Sequence, residues 1–102
     1  MAGEFTGKVV VVSGASRGIG HGVAAAFVAE GAQVVLAASS PERLAEAAAA
    51  MAAGGKRPEV CAADLRTPAG CEAVFRAVDA RLGRCDILVN SAGATRAGAF
   101  LA

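Results

Sequence analysis

The chain alternates short, unbroken apolar runs with longer stretches in which apolar positions recur at helical spacing. Val9-Val10-Val11-Val12 is a run of β-branched residues. A run with no polar alternation fits a strand buried on both faces, as in a parallel sheet. It predicts a strand over about Lys8 to Ser13. Gln33-Val34-Val35-Leu36-Ala37-Ala38 and Asp86-Ile87-Leu88-Val89-Asn90 repeat the pattern, and Glu59 to Ala63 follows it with only Val60 and Cys61 as bulky apolar groups.

The intervening stretches predict helices. From about Gly18 to Glu30, Val23 and Phe27, and Ala24 and Val28, stand at i, i+4 spacings, and Gly31 is a typical stop. Ser40 followed by Pro41 makes an N-cap and a first helical position. That helix runs to about Ala53, with Leu44 and Met51 as its larger apolar groups, and ends at Gly54-Gly55. Thr67-Pro68 repeats the cap, Val74, Val78 and Leu82 make an i, i+4, i+8 stripe, and Gly83 closes the helix. The residues after Asn90 begin with a small-residue loop, Ser91-Ala92-Gly93-Ala94-Thr95, and carry no clear element up to Ala102.

The order is thus β-α-β-α-β-α-β, which means an α/β fold with a parallel sheet and right-handed crossovers. In open α/β sheets ligands bind beyond the carboxyl ends of the strands. Four places therefore hold the candidate functional residues: Gly14 to Gly20, Ala38 to Ser40, Asp64-Leu65, and Asn90 to Gly93.

The first of these is the richest in chemistry. Strand, glycine loop and helix form the geometry that cradles a phosphate, because glycines let backbone approach the ligand and a helix N-terminus presents free N–H groups. A Walker loop is excluded, since five residues beyond Gly14 stands Ile19, and Lys8 and Lys56 lie elsewhere. The G-x-G-x-x-G fingerprint fails too, because Gly18 and Gly20 are followed by Val23. The spacing is G-x-x-x-G-x-G. The bland alternative is a glycine-rich turn with no ligand.

Composition narrows the partners. With 102 residues the chain is one domain at most, and its net charge of +1 offers no basic footprint for nucleic acid and no polybasic membrane patch. Cys61, Cys71 and Cys85 are an odd number without C-x-x-C spacing. They are expected to be small buried or half-buried residues of a reducing compartment, not a disulfide or metal framework. The N-terminal residues do not form a signal peptide and no apolar run approaches a membrane span, so a cytoplasmic location is expected. His21 has no nucleophile at a useful spacing and is expected to be solvated or packed, as are the helical arginines and glutamates.

Ser13-Gly14-Ala15-Ser16-Arg17-Gly18-Ile19-Gly20, Asp64-Leu65 and Asn90-Ser91-Ala92-Gly93 occur in the order seen in the short-chain dehydrogenase/reductase family. The chain resembles that family's cofactor-binding half from about Gly7 to Arg96, with the 3-oxoacyl-[acyl-carrier-protein] reductase type as the nearest pattern. Ser13 stands where Thr is commoner, and Ser91 where a second Asn is usual. The resemblance implies a Rossmann-type sheet of order 3-2-1-4. Gly14 would turn the chain out of the strand, while Gly18, Ile19 and Gly20 would line the cofactor. Ser16 would donate to a phosphate oxygen. Arg17 places a permanent cation where a phosphate on the adenosine ribose would lie. Asp64 would accept from the adenine amino group, beside the Leu65 N–H. Asn90 would tie strand ends together, and Ala92 and Gly93 would let the ribose approach.

NAD users place an acid at the end of the second strand to hold both ribose hydroxyls. Here the stretch is Ala37-Ala38-Ser39-Ser40. Ser39 and Ser40 can hydrogen-bond a 2′-phosphate that an acid would repel, so NADP is expected over NAD. Ser40 also has the capping role.

The family's reduction needs a Tyr proton donor, a Lys four residues later and a Ser orienting the carbonyl, since hydride delivery leaves an oxyanion to be protonated. This sequence contains no Tyr. It therefore looks like the N-terminal half of an NADP(H)-dependent carbonyl/alcohol oxidoreductase, cut after its fourth strand, whose full-length form would be a homo-oligomer. The other reading is a standalone dinucleotide-binding module without chemistry. In either case the fourth strand is expected to be a bare edge with an apolar face partly uncovered.

Overall fold

The computed structural model describes residues 3–14 and 18–90. Its strands are β1 (Val9–Ser13), β2 (Gln33–Ala38), β3 (Glu59–Ala62) and β4 (Ile87–Asn90), and its helices are α1 (Gly18–Ala29), α2 (Pro41–Met51) and α3 (Pro68–Leu82). One turn of 3₁₀-helix, Ala52–Gly54, finishes α2, where the sequence predicts unbroken helix to Ala53. The other boundaries fall within one residue of the sequence expectations.

The strands form one parallel sheet of order β3-β2-β1-β4. β1 is central in burial as well as position: all five of its residues are buried. Alternate residues feed two cores. Val10 and Val12, with Val34, Leu36 and Ala38 of β2, pack with Ala24 and Val28 of α1 and Leu44, Ala47, Ala48 and Met51 of α2. Val9 and Val11, with Val35 and Ala37, pack with Leu65 and with Cys71, Val74 and Val78 of α3. A valine removed wholly from water contributes on the order of 1.5–3 kcal/mol, so the run at Val9–Val12 anchors both layers.

α1 buries Gly20, Ala24 and Val28, a seam of small residues that brings it close to the sheet. Val23 and Phe27 are only half-buried. Phe27 instead meets Phe5 edge-to-face, with ring centroids 5.2 Å apart, so the N-terminal turn packs against α1. On α3, Val74 and Val78 are buried and Leu82 half-buried, as the stripe implied, and Cys71 joins them.

The cysteines divide. Cys71 is buried and Cys61 half-buried, but Cys85 is exposed, contrary to the sequence expectation. It sits in the turn between α3 and β4, outside both cores, and its thiol reaches the Ile87 carbonyl at 3.5 Å. β4 is the end strand among the described residues, and its Ile87, Leu88 and Val89 are half-buried where β1 is fully covered. No helix among the described residues is long and apolar enough to cross a membrane.

Candidate functional site

The parallel register brings the strand ends level. Ser13 of β1 stands beside Ala37 of β2 and Asn90 of β4, and Ala38 stands beside Ala62 of β3. Two backbone bonds extend this row beyond the strands, Gly14 N–H to the Ala37 carbonyl at 2.8 Å and Ala63 N–H to the Ala38 carbonyl at 2.9 Å. β1 is flanked by β2 on one side and β4 on the other, so the chain's direction across the sheet reverses there. That switch point opens the crevice in which doubly wound folds bind ligands.

Gly14 leaves β1 with φ +70°, and Gly18 opens α1 with φ +66°. Both are left-handed values that side chains disfavour. A Cβ on Gly18 would meet nothing within 4 Å. The glycine is thus required by backbone shape, and the space beside it is open to a ligand at the helix N-terminus. Gly20 is buried in the first turn of α1. Ile19 is 82% exposed, a large apolar side chain held outside both cores at the mouth of the crevice. Of the loop residues the sequence singles out, Ser16 and Arg17 lie outside the described residues, as do Ala92 and Gly93.

Ser13 is 1% exposed, and its hydroxyl donates to Asn90 Oδ1 at 2.9 Å, with the Val89 carbonyl at 3.3 Å. A buried hydroxyl needs such partners, and this pair pins the end of β4 to the end of β1 across 77 positions of sequence. At the other end of the same strands, Asp86 Oδ2 accepts from Val9 N–H at 2.7 Å, and its Oδ1 pairs with Arg84 at 2.6 Å. The Arg84 guanidinium and the Val9 N–H hold the Asp86 carboxyl below the usual range.

At the end of β2, Ser39 is exposed and Ser40 caps α2. Ser40 Oγ accepts from Arg43 N–H at 3.2 Å and lies 3.5 Å from Glu42 Oε1, so its hydroxyl has local duties as well as any toward a ligand. No carboxylate stands between Ala38 and Pro41.

After β3, Asp64 is held by Arg66 through the backbone N–H at 3.0 Å and the guanidinium at 3.1 Å. That pairing lowers its pKa and keeps it an acceptor at neutral pH. The carboxylate side chain remains 46% exposed, so its other lone pairs are available. Leu65 turns its side chain into the core, where it is 8% exposed, and its carbonyl receives the Cys71 thiol at 3.4 Å. Thr67 completes the turn: its Oγ1 donates to the Asp64 carbonyl at 3.1 Å and accepts from Gly70 N–H at 3.0 Å.

A cleft of about 420 Å³ between α1 and α2 is lined by His21, Arg43, Glu46 and Ala47. On α2 its residues fall at i, i+3 and i+4, which is one helix face. The sequence shows that they share a face but not what stands opposite. Among the described residues, no group of three His, Cys, Asp or Glu side chains is placed to hold a metal ion.

The profile of the short chain dehydrogenase family matches residues 8–102. The chain is 40% identical to the oxidoreductase UcpA of Escherichia coli K12 over 99 residues, 97% of this chain and 37% of the relative. It is 41% identical to the 3-oxoacyl-[acyl-carrier-protein] reductase FabG of Salmonella typhimurium over 93 residues, 91% of this chain and 37% of the relative. Among solved structures it superposes on L-sorbose reductase of Gluconobacter frateurii, complexed with NADPH and L-sorbose. The TM-score is 0.85 at 44% identity, covering 91% of this chain and 36% of that one. The chain thus spans a little over a third of the length of these relatives. The 3-2-1-4 sheet, the glycine turn at its switch point and the match over residues 8–102 lead to one assignment: this chain belongs to the short-chain dehydrogenase family.

Proposed function

We propose that this chain binds NADP(H) and is the cofactor-binding portion of an oxidoreductase that moves hydride between NADP(H) and a small carbonyl or alcohol substrate. The observation that carries the reading is the exit of β1. Left-handed glycines at Gly14 and Gly18 deliver the chain to a helix N-terminus at the switch point, with open space beside Gly18. A pyrophosphate accepts hydrogen bonds from the free N–H groups of that helix end and is favoured by its dipole. Ile19 would pack against the apolar faces of the cofactor. Asp64 and Leu65 would serve the adenine, with Asn90, Ala92 and Gly93 beside the ribose nearer the nicotinamide.

NADP is proposed over NAD because the end of β2 offers Ser39 and Ser40 and no acid, and because Arg17 adds a cation to the loop. The L-sorbose reductase structure, complexed with NADPH, supports the same choice. The sequence holds no Tyr, so it supplies no tyrosyl proton donor for the oxyanion that hydride transfer creates. The 102-residue chain is therefore proposed to bind cofactor without turning over a carbonyl substrate. A cytoplasmic location and a homo-oligomeric full-length enzyme complete the reading.

The test is a titration of the chain with NADPH and with NADH, followed by dihydronicotinamide fluorescence. Saturable binding, tighter for NADPH, is expected, with no carbonyl-dependent loss of absorbance from the reduced cofactor. Absence of saturable binding by folded chain would overturn the binding claim. Catalysed oxidation of NADPH would overturn the claim of no turnover.

A further inference from the structure

β3 is the outer strand on one side of the sheet, with no strand beyond it among the described residues. Its phase follows from the bond between Ala63 N–H and the Ala38 carbonyl. Along a strand, the backbone groups of alternate residues face opposite neighbours. Cys61 and Ala63 therefore turn theirs toward β2, while Pro58, Val60 and Ala62 turn theirs outward. Such a row of outward N–H and C=O groups is a template for another strand. Pro58 has no N–H to offer it. At Val60 the carbonyl is already occupied: Arg81 Nη1 donates to it at 3.4 Å and to Glu59 Oε1 at 3.2 Å. A cation in the last turn of α3 suits the helix dipole, yet this one also reaches back 21 positions to the sheet edge. The side chains of Arg81 and Glu59 are 54% and 43% exposed, so their pairing adds little to stability. Its effect is to fix a guanidinium at the outer edge of β3.

We propose that Arg81 guards this edge: by occupying the Val60 carbonyl it stops β3 from pairing with β3 of a second copy of the chain. The edge is self-complementary, because a two-fold axis beside it brings two copies together antiparallel, donors of one row facing acceptors of the other. With Arg81 in place, that pairing must break the bond to Val60 and displace or bury a cation at the junction, and symmetry doubles the cost. Without it, the Val60 carbonyl is open. Arg81 also lines a narrow apolar gap with Val35, Cys61, Val78 and Leu82, so its loss bares the end of the second core at the same edge. A lysine or a proline on an edge strand acts in the same sense. Here the charge is delivered from the neighbouring helix.

The experiment is sedimentation equilibrium of the chain and its variants over a range of concentrations, with circular dichroism to confirm that each is folded. Arg81→Ala, which suits a helix, should tighten self-association roughly tenfold or more over wild type, the gain expected from a hydrogen bond restored and a cation removed on each side. Arg81→Met keeps the apolar stem over the gap and should do the same, so the result does not hang on one variant. Arg81→Lys, which keeps the charge, should stay within about threefold of wild type. Arg76→Ala, at another exposed arginine of α3 paired with a carboxylate, should stay within about twofold. Adding Ala62→Pro to Arg81→Ala removes an outward N–H without touching the bonds to β2, and should return association to the wild-type level. Residue-resolved amide exchange locates the contact independently: in associated Arg81→Ala the Val60 and Ala62 amides should be protected relative to dilute chain. Wild-type association in both Arg81→Ala and Arg81→Met overturns the proposal. So does an equal rise in Arg76→Ala, a folded double variant that still associates, or new protection that falls on β4 instead of β3. None of these readouts depends on a bound cofactor, so the NADP(H) reading is tested separately.

Discussion

Gly70→Ala sets two physical effects against each other, and the structure decides between them. Gly70 is in the first turn of α3. Propensity alone favours alanine in a helix by about 1 kcal/mol. However, a Cβ on Gly70 would stand 1.8 Å from the Asp64 carbonyl oxygen, 2.6 Å from its carbon and 3.1 Å from its nitrogen. All three are backbone atoms, so no side-chain rotation relieves the overlap. Either the start of α3 or the Asp64-Leu65 turn must move. That turn is held by the Thr67 N–H and Oγ1 on the Asp64 carbonyl, at 3.2 and 3.1 Å, and by the Cys71 thiol on the Leu65 carbonyl. Overpacking costs about 1–3 kcal/mol, and losing two of these hydrogen bonds adds roughly 1 kcal/mol each. Set against the propensity gain, the net is a destabilisation of about 2–4 kcal/mol. For a domain of this size each 1 kcal/mol lowers Tm by roughly 4–8 °C, so thermal unfolding followed by circular dichroism should show a fall of at least about 8 °C. A Gly70→Ala chain as stable as wild type, or more so, would refute the reasoning.

Thr67→Ala removes the cap of α3 and should cost about 1 kcal/mol, read as a lower urea midpoint with unchanged slope. Gly31→Ala should destabilise the chain by about 1–3 kcal/mol, because the position has φ +90° and a Cβ there would lie 2.6 Å from Thr6 Oγ1; unchanged thermal unfolding would contradict this. The Asp86 carboxyl is held below its unfolded value of about 3.9, so its contribution is full above that pH and lost as the pH falls through the lower folded value. Urea titrations should therefore show Asp86→Asn less stable than wild type at pH 7, with the gap closing below about pH 4; a gap that stays constant with pH would remove the charge from the explanation.

The short-range signals in this chain translated directly into structure, because their physics is short-range. A β-branched run has few ways to bury itself other than as an inner strand, and Val9–Ser13 is one. Ser40-Pro41 and Thr67-Pro68 cap their helices through bonds to residues three positions away. Glycine spacing marked the exits of β1 at Gly14 and Gly18, where φ is positive. Alternation of strands and helices limits the sheet to few topologies, and the family resemblance selected 3-2-1-4 among them.

What depended on the tertiary fold is what joins residues far apart. The Ser13–Asn90 hydrogen bond spans 77 positions, and no local pattern distinguishes it from a turn serine and a turn asparagine. Gly70 looks like an ordinary weak helix residue until α3 folds back on the turn at Asp64. α1 offered two apolar pairs, Val23 with Phe27 and Ala24 with Val28, and only close approach to the sheet decided that the second is buried, together with Gly20. Arg43 reads as one solvated arginine among several until α1 and α2 bring it to a cleft shared with His21. Sequence by itself determined the elements, their order and the glycine cradle, since those follow from bonds and burial within a few residues. Only packing decided which side chains meet across the crevice, since that requires the sheet to bring four separated strand ends into one row.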